Sequence, residues 1–300
     1  MQEAKAVSLP NFWACGTSMA VSVPCMFSSN GMGRFSLNQA GSEENLLDVV
    51  QRAGVNVLWL DNNSDSKGVA LRPLYRNYRS PEINTVCDSE CRDEGMLVPL
   101  QDYIDSHPKG DILIVLHQMG NHGPAYYKRY PPAFEKYRPA CQSKDLSRCS
   151  NEEIGNAYDN AILYTDHFLG KTIELLKRND KHFETALFYL SDHGESLGEG
   201  GVYLHGLPRA IAPDSQLHVP AILWFGSGYD EVDLPSCYAN AASDSAMTTS
   251  STRSSACWKC GAPVTSPSWM FWTDAGSATG AARPDRSAGV GRRLPSLPLL

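Results

Sequence analysis

Residues 111–122 have the sequence Asp-Ile-Leu-Ile-Val-Leu-His-Gln-Met-Gly-Asn-His, an apolar run that ends directly in a polar cluster. A short apolar run of this kind predicts a buried strand. Two other runs have the same form: residues 55–60 precede the polar loop 61–68, and residues 186–190 precede the cluster 191–195, Ser-Asp-His-Gly-Glu. Because the carboxyl ends of parallel strands lie at one edge of a sheet, the three clusters predict one shared site.

Helical patterns alternate with these apolar runs. One helix is predicted between Ser42 and Gly54, and a longer one covers about residues 153–178, with apolar residues on one side. Residues 221–225 form a further apolar run. This order predicts an α/β sandwich with a mainly parallel central sheet.

Composition narrows the class of protein. The chain has 300 residues, 42% of them hydrophobic, which is enough for a large core. Its net charge of −7 divides into −11 over residues 1–246 and +4 over residues 247–300, and the acidic body argues against a nucleic-acid partner. The sequence as given has no apolar run of about 18 residues and no secretory signal pattern, so neither a membrane span nor a leader is predicted.

Cysteines lie in the body of the chain as local pairs. Paired cysteines around short loops favour disulfides made in an oxidising compartment, and the pairs lack the C-x-x-C spacing of a zinc knuckle. Buried free thiols are the alternative. The pairs are Cys15 with Cys25, Cys87 with Cys91, and Cys141 with Cys149.

Histidines and carboxylates in the polar clusters are candidate metal ligands. Asp192 and His193 combine a hard oxygen with a borderline nitrogen, a pair that suits Zn²⁺ and, less well, Mn²⁺. His205 follows a glycine-rich turn, and His117 and His122 add two imidazoles. A single histidine at a strand end is more often structural, but the repetition favours phosphoryl or sulfuryl transfer at a metal.

Hydroxyl groups also follow a glycine near the start of the chain. Thr17 and Ser18 come directly after Gly16 and precede a short apolar segment. This is the setting of a nucleophile whose anionic adduct is held by backbone N–H groups. It is also the setting of a helix N-cap formed by Thr17 or Ser18, and from these residues alone the N-cap is the preferred interpretation.

Six segments together carry a family resemblance. They are Cys15-Gly-Thr-Ser-Met-Ala20, Asp61-Asn-Asn-Ser-Asp-Ser-Lys-Gly68, Cys91-Arg-Asp-Glu-Gly95, His117-Gln-Met-Gly-Asn-His-Gly-Pro124, Ser191-Asp-His-Gly-Glu-Ser-Leu-Gly198 and Tyr203-Leu-His-Gly206. The set resembles the lipid A phosphoethanolamine transferases, the polymyxin-resistance group of the alkaline phosphatase and sulfatase superfamily. The resemblance extends from about Asn11 to Asp233 and implies a sulfatase-like fold.

The resemblance implies an activity and a location. Members of the family move phosphoethanolamine from phosphatidylethanolamine to a lipid A phosphate through a phosphorylated threonine. They have an inner-membrane anchor and a periplasmic catalytic domain, which agrees with the cysteine pairs as the family's disulfides. A monomer that meets the membrane surface through such an anchor is therefore expected, with the anchor missing from this chain.

Site residues follow from the resemblance position by position. Asp192 and His193 would be ligands of a Zn²⁺ ion. His122 and His205 would serve a second zinc ion or the substrate phosphate. The phosphoethanolamine head group would contact Asn63 and Lys67.

Two departures from the family pattern predict an inactive chain. The family's nucleophilic threonine is replaced by Met19, whose thioether has no proton to lose. Thr17 is a weak substitute because in-line attack tolerates little misplacement. The family's first core strand ends in a glutamate that binds the same metal ion, and no counterpart precedes Cys15, since Glu3 follows no strand. The catalytic domain is therefore expected to lack this strand and to leave a sheet edge exposed.

The end of the chain differs from its body. Of the 54 residues from Met247 to Leu300, 32 are Ser, Thr, Gly, Ala or Pro. A reading frame offset by one base turns residues 247–260 into an apolar-periodic pattern similar to the family's C-terminal region. We therefore divide the chain into a partial catalytic domain, residues 1–235, and a frameshifted, disordered tail, residues 236–300. A natural Ser- and Arg-rich linker is the alternative.

Two other functions are compatible with these residues. A sulfatase or phosphodiesterase would use the same aspartate and histidines with an activated water in place of the threonine. A binding remnant without catalysis would hold a phospholipid head group or a lipid A phosphate through Lys67 and the histidines. Zinc-dependent hydrolysis separates the first function from the second.

Overall fold

The computed structural model describes residues 6–228 and the backbone of residues 245 and 246. In the described residues, nine strands and five helices are joined by loops and short 3₁₀ turns. In chain order they are β1 Val7–Trp13, α1 Met19–Phe27, α2 Leu37–Ala40, α3 Leu46–Arg52, β2 Asn56–Asp61, β3 Leu74–Asn77, α4 Leu100–Asp105, β4 Ile112–His117, α5 Asn151–Asn179, β5 Ala186–Leu190, β6 Ser196–Leu197, β7 Tyr203–Leu204, β8 His218–Phe225 and β9 Ser245–Ala246.

The strands form two main sheets. One is parallel, in the order β3-β2-β4, and the other has the order β5-β8-β1-β9, while β6 and β7 pair with each other. The α/β class and the parallel sheet are confirmed. In the second sheet, however, β8 is antiparallel to both β5 and β1. An apolar run predicts a strand but carries no information on its direction, which depends on the connections.

The two longer predicted helices are present, and each begins with a capping box. The side chain of Ser150 accepts from the Glu153 amide while the Glu153 carboxylate accepts from the Ser150 amide, so α5 begins at Asn151. The same exchange joins Asn45 and Asp48 at the start of α3. The helix start predicted at Ser42 was therefore wrong by three residues, because Asn45 supplies the acceptor and Asp48 the partner at the right spacing.

Residues 7–13, which the sequence patterns did not predict as a strand, form β1. This strand lies between β8 and β9, and its inward side chains, Val7, Leu9 and Phe12, are buried. The alternation of buried and exposed residues is interrupted at Pro10, where the pairing register with β8 shifts. The irregularity explains why a simple alternation search does not find the strand.

One edge strand of each main sheet borders a common cavity. Within the described residues, β4 ends the parallel sheet and β5 ends the mixed sheet. Both strands line the same cavity, which has a volume of about 380 Å³. Residues of helices α1, α4 and α5 also line this cavity.

Three disulfides join the predicted cysteine pairs. Cys15 is bonded to Cys25, Cys87 to Cys91, and Cys141 to Cys149. The first links the loop after β1 to Cys25 near the end of helix α1, and therefore ties the last part of that helix to the sheet.

Asp61, the last residue of β2, is the best-connected carboxylate in the described part of the chain. It is fully buried and accepts hydrogen bonds from the His117 Nδ1–H, the Trp59 indole and the amides of Asn63 and Asp65. Burial raises the pKa of this carboxyl, but the bond from His117 and the other donors outweigh burial, so the pKa lies below its ordinary value of 3.8. The folded state therefore favours the ionised carboxylate.

Replacing Asp61 with Asn is expected to lower the free energy of unfolding by about 2 kcal/mol at pH 7, because an amide leaves buried donors without an acceptor. The group has a lowered folded pKa, so its contribution is present above pH 3.8 and is lost as the pH falls through the folded value. Urea unfolding of both proteins at pH 7 and in the acid range measures the difference. A difference that does not shrink below pH 3.8 would contradict this account.

Two further sequence predictions concern a membrane span and the end of the chain. Within the described residues, no helix combines the length and the apolar character that crossing a bilayer requires. The domain boundary at residues 235 and 236, and the frameshifted tail, fall outside the described residues and stay predictions.

Candidate metal and phosphate site

Three histidines from three different segments meet at the carboxyl ends of β4 and β5. His122 follows β4, His193 follows β5, and His205 follows β7. Their ring nitrogens lie within 4.8 Å of one another, and the ring centroids of His193 and His205 are 4.0 Å apart. This group can hold a metal ion, and the predicted convergence of the strand-end clusters is observed for two of the three.

Each of these histidines has its Nδ1 atom engaged by the protein. His122 donates to the Gly123 carbonyl at 2.7 Å, and His193 donates to the Gly194 carbonyl at 3.0 Å. His205 donates to the Glu195 carboxylate at 3.2 Å. Metal-binding histidines typically donate one ring N–H to the protein in this way. The hydrogen bond at Nδ1 sets the tautomer and leaves Nε2 to bind a metal ion.

Glu195 organises the surroundings of the histidines. Its carboxylate is 9% exposed and accepts from the Gly123 amide at 2.9 Å and the Tyr126 hydroxyl at 3.2 Å, as well as from His205. Burial raises the pKa of the Glu195 carboxyl, but the hydrogen bonds from His205 and Gly123 bring it below the ordinary value. One carboxylate therefore orients His205 and the backbone beside His122 together.

The protonation of two histidines is shifted in opposite directions. Burial lowers the pKa of His122, which favours the neutral imidazole that a metal requires. The hydrogen bond to Glu195 raises the pKa of His205 despite its burial. The two shifts favour the neutral imidazole at His122 and the protonated imidazole at His205.

Asp192 lies beside the histidine cluster. Its Oδ2 atom is 3.7 Å from His193 Nε2, is buried, and accepts no hydrogen bond from the described residues. The sequence motifs separate Asp192 and His193 from His122 and His205 as two groups. In the structure His193 groups with the other two histidines, and Asp192 borders them.

The predicted head-group residues lie on the loop after β2. Asn63 borders the same cavity as His122 and His193, and its side-chain amide donates to the Gln118 carbonyl at 2.8 Å. The Lys67 ammonium donates to the Ser64 carbonyl at 2.6 Å and lies 3.5 Å from the Asp65 carboxylate. Both side chains are held by hydrogen bonds to backbone carbonyls.

Met19 is the first residue of helix α1 and is 8% exposed. Its sulfur lies 3.8 Å from the Ser64 hydroxyl, so residue 19 is in contact with the loop that carries Asn63. Ser18 stands at the N-cap position without a side-chain capping bond. The Thr17 hydroxyl donates to the Leu207 carbonyl at 2.6 Å, which engages the candidate substitute nucleophile elsewhere.

His117 does not join the cluster. It is the last residue of β4, pairs in register with Asp61 on β2, and donates to that carboxylate at 2.8 Å. Among the described residues it therefore lies outside the group of three histidines. Successive side chains of a strand point to opposite faces of the sheet, so the position of His117 at the end of β4 does not by itself direct its ring to the histidine cluster. His122 reaches the cluster from the loop that follows β4.

Two positioning carboxylates were missed by the sequence reasoning. Glu195 was noted only as part of a cluster, although it lies two residues after His193. Asp93 accepts from the Asn62 side chain and from the amides of Met119 and Gly120, which fastens the loop that leads to His122. Asp93 lies in the segment 91–95 that carries the family resemblance, but its role was not assigned, since its partners are distant in the chain.

Replacing Glu195 with Gln is expected to weaken zinc binding about tenfold, because the amide keeps the size of the carboxylate but loses its charge toward His205. Calorimetric titration with zinc measures the affinity, and circular dichroism checks the fold. Glu199→Gln, a surface change on the following turn, serves as the control. Equal zinc affinity of Glu195→Gln and the unmodified chain would contradict the role assigned to Glu195.

An α/β sandwich with imidazoles gathered at the carboxyl ends of its strands is the arrangement expected of a sulfatase-like protein. The chain belongs to the sulfatase family, whose sequence profile matches residues 1–251.

Particular relatives narrow this class. Over 233 residues the chain is 51% identical to the phosphatidylethanolamine transferase Mcr-2 of Escherichia coli, a match that covers 74% of this chain and 43% of the relative. It is 49% identical over 226 residues to the phosphoethanolamine transferase EptA of Salmonella typhimurium, covering 75% of this chain and 41% of the relative. The chain thus spans about two fifths of the length of these curated relatives.

A solved structure gives the same result. The soluble domain of lipooligosaccharide phosphoethanolamine transferase A from Neisseria meningitidis superposes with a TM-score of 0.78 and 38% identity. The match covers 83% of this chain and 75% of that one. The resemblance inferred from the sequence motifs is confirmed.

Proposed function

We propose that this chain is the catalytic part of a phosphoethanolamine transferase that keeps a phosphate-binding pocket and has lost its nucleophile. The donor would be phosphatidylethanolamine and the acceptor a lipid A phosphate, at the periplasmic face of the inner membrane. The observation that carries the proposal is the place of Met19, at the first residue of α1 and in contact with Ser64. The adjoining Asn63 borders the cavity that contains His122 and His193.

Zinc is the metal ion that this donor set fits best. His122, His193 and His205 would hold it through Nε2, since Nδ1 of each is already bonded, and Asp192 offers a carboxylate oxygen without a hydrogen-bond donor among the described residues. When bound, zinc would stabilise negative charge on the phosphate oxygens. The number of ions, one or two, follows from the family resemblance alone.

The chain's own residues would bind and orient the donor lipid. A phosphate at the histidine cluster would lie beside His205, which Glu195 orients by accepting its Nδ1–H bond. Asn63 also lines this cavity, and Lys67 belongs to its loop. A bound phosphate would compete with the Ser64 carbonyl for the Lys67 ammonium.

Transfer in two steps needs a hydroxyl that loses its proton and bonds to phosphorus. The thioether of Met19 has no proton and forms no stable phosphate ester, so the first step would not occur. Thr17 does not replace it, because its hydroxyl is bonded to the Leu207 carbonyl. The proposed outcome is a pocket that binds a phosphoethanolamine lipid without transferring its head group.

Periplasmic expression of the full chain tests this proposal. We expect no phosphoethanolamine on lipid A by mass spectrometry, because residue 19 offers no nucleophile. Met19→Thr, combined with the upstream family strand, is expected to produce modified lipid A. Met26→Thr in the same background is the control, since it makes the same change on the same helix. Modified lipid A from the unaltered chain would contradict the proposal.

A metal-dependent hydrolase is the second candidate, because the histidine cluster does not include residue 19. A water activated at the site could attack a phosphate ester directly. Zinc-dependent release of p-nitrophenol from p-nitrophenyl phosphate by the purified chain, abolished by His193→Ala, would favour hydrolysis. Binding of the lipid head group without release of product would favour the non-catalytic pocket.

A further inference from the structure

His205 lies between two residues with left-handed backbone conformations. Leu204 before it has a φ of 64°, and Gly206 after it has a φ of 96°. This conformation is uncommon for a leucine and persists only where surrounding contacts hold it. Leu204 packs in the apolar cluster that contains Tyr126, whereas a Cβ atom at Gly206 would meet no described residue within 4 Å apart from its chain neighbours. The direction of His205 therefore depends on the contacts that hold the chain after Gly206.

Two side chains hold the segment after this turn. The Thr17 hydroxyl donates to the Leu207 carbonyl at 2.6 Å, and Thr17 is 7% exposed. The Arg209 guanidinium donates in the opposite direction, to the carbonyls of Ala14 at 2.6 Å and Cys15 at 3.1 Å. Two segments that lie 190 or more residues apart in the chain are therefore joined by hydrogen bonds in both directions.

The joined segments lead to two different parts of the proposed site. Residues 14–17 lead into α1, whose first residue is Met19. Residues 207–209 follow His205, which belongs to the group of three histidines. Glu195 orients the ring of His205 by accepting from its Nδ1 atom at 3.2 Å. The hydrogen bonds between the two segments act on the main chain that follows this ring, so ring and main chain are held from different directions.

We propose that Thr17 and Arg209 are positioning residues for His205, and that they couple metal binding at the histidine cluster to the start of α1. The inference rests on the proposed metal site. Thr17 then acts through its hydrogen bond to the segment after His205 and not as a nucleophile. Coupling between two sites is reciprocal, so zinc that fixes His205 also stabilises residues 14–17, and a well-held segment 14–17 strengthens zinc binding.

Zinc affinity of the full chain tests the positioning role. Thr17→Val is expected to weaken zinc binding about fivefold, because valine keeps the shape of threonine and removes the hydroxyl. Thr17→Ser keeps a hydroxyl and should restore most of the affinity. Thr172→Val is the matched control, since Thr172 is also buried and donates to a backbone carbonyl, that of Phe168. Equal zinc affinities of Thr17→Val and Thr172→Val in calorimetric titrations would overturn the proposal.

Hydrogen exchange measured by mass spectrometry tests the coupling. In the metal-free chain, Thr17→Val and Arg209→Met should each speed amide exchange in residues 204–209 about fivefold, because the turn loses a contact that holds it. Arg178→Met, an exposed change in the last turn of α5, is the control and should leave this exchange unchanged. Zinc should slow exchange in residues 14–22 of the unmodified chain, and Thr17→Val should lose most of this slowing.

The outcomes separate this inference from the proposed metal site. Zinc that slows exchange in residues 193–205 but not in residues 14–22 would overturn the coupling and retain the metal site. Unchanged exchange of residues 204–209 in metal-free Thr17→Val would overturn the positioning role, even if zinc affinity falls. An unmodified chain that binds no zinc would overturn the metal site and the coupling together.

Discussion

Gly194→Ala is expected to destabilise the chain by about 3 kcal/mol or more, the largest effect on stability that we predict for one added methyl group. A Cβ atom at this position would lie 2.1 Å from the Ser215 carbonyl oxygen and 3.0 Å from its carbon. Both are backbone atoms, and neither can rotate away. The Gly194 amide also donates to the Gln216 carbonyl at 3.0 Å, which holds the two segments at this distance.

Thermal and urea unfolding of Gly194→Ala measure the effect. Gly155→Ala, within helix α5, is the control because a Cβ there meets no atom within 4 Å. Alanine in a helix interior should stabilise the protein by up to about 1 kcal/mol. If Gly194→Ala has the same free energy of unfolding as the unmodified chain, the close contact between the backbones of residues 194 and 215 would be contradicted.

His193→Ala is expected to weaken zinc binding about 100-fold or more, since even the outer partners of metal ligands contribute about 10- to 100-fold. His193 packs against the other two imidazoles and lies beside Asp192. Its removal takes one of three converging nitrogens and leaves the Asp192 carboxylate without its neighbour. Calorimetry with zinc and metal analysis after dialysis measure the change.

His182→Ala controls for the loss of a histidine as such. His182 is exposed on the loop after α5, outside the group of three. We expect this variant to retain zinc like the unmodified chain. Equal zinc retention by His193→Ala and His182→Ala would contradict the proposed metal site and the hydrolase alternative together.

The Gly194→Ala and His193→Ala predictions separate an effect on stability from an effect on zinc binding. Gly194 and His193 are neighbours on one turn after β5, yet they act through different contacts. Gly194 permits the turn to pass the backbone at Ser215, whereas the adjacent imidazole projects toward the cluster. Unfolding should therefore respond mainly to residue 194, and zinc affinity at a temperature of full folding should respond to residue 193.

Much of the candidate site could be predicted from the sequence. Asp192, His193 and His122 follow apolar runs closely, and the rule that parallel strand ends share an edge predicts that they lie near one another. The glycine-rich turn before His205 allows this residue to return to the same edge, and it lies in the cluster. The three cysteine pairs also follow from their spacing, because neighbouring residues on a short loop can reach each other.

The roles of His117, Glu195 and Asp93 could not be predicted in this way. His117 lies at the end of its apolar run, as Ser191 does, but its ring bonds to Asp61 across the parallel sheet. Glu195 and Asp93 act through backbone amides of the loop 119–123, which lie many residues away. Hydrogen bonds between distant segments depend on how the chain is folded back, and no local spacing records them.

The sequence by itself determined the α/β class, the strand-end clusters, the cysteine pairs and the presence of a thioether at position 19, since each depends on residue type and short-range order. The tertiary structure alone decided that β8 runs antiparallel, that His193 groups with His122 and His205, and that β4 and β5 border one cavity. These features depend on packing and on pairing between segments far apart in the chain, where many residues jointly set the distance between two groups.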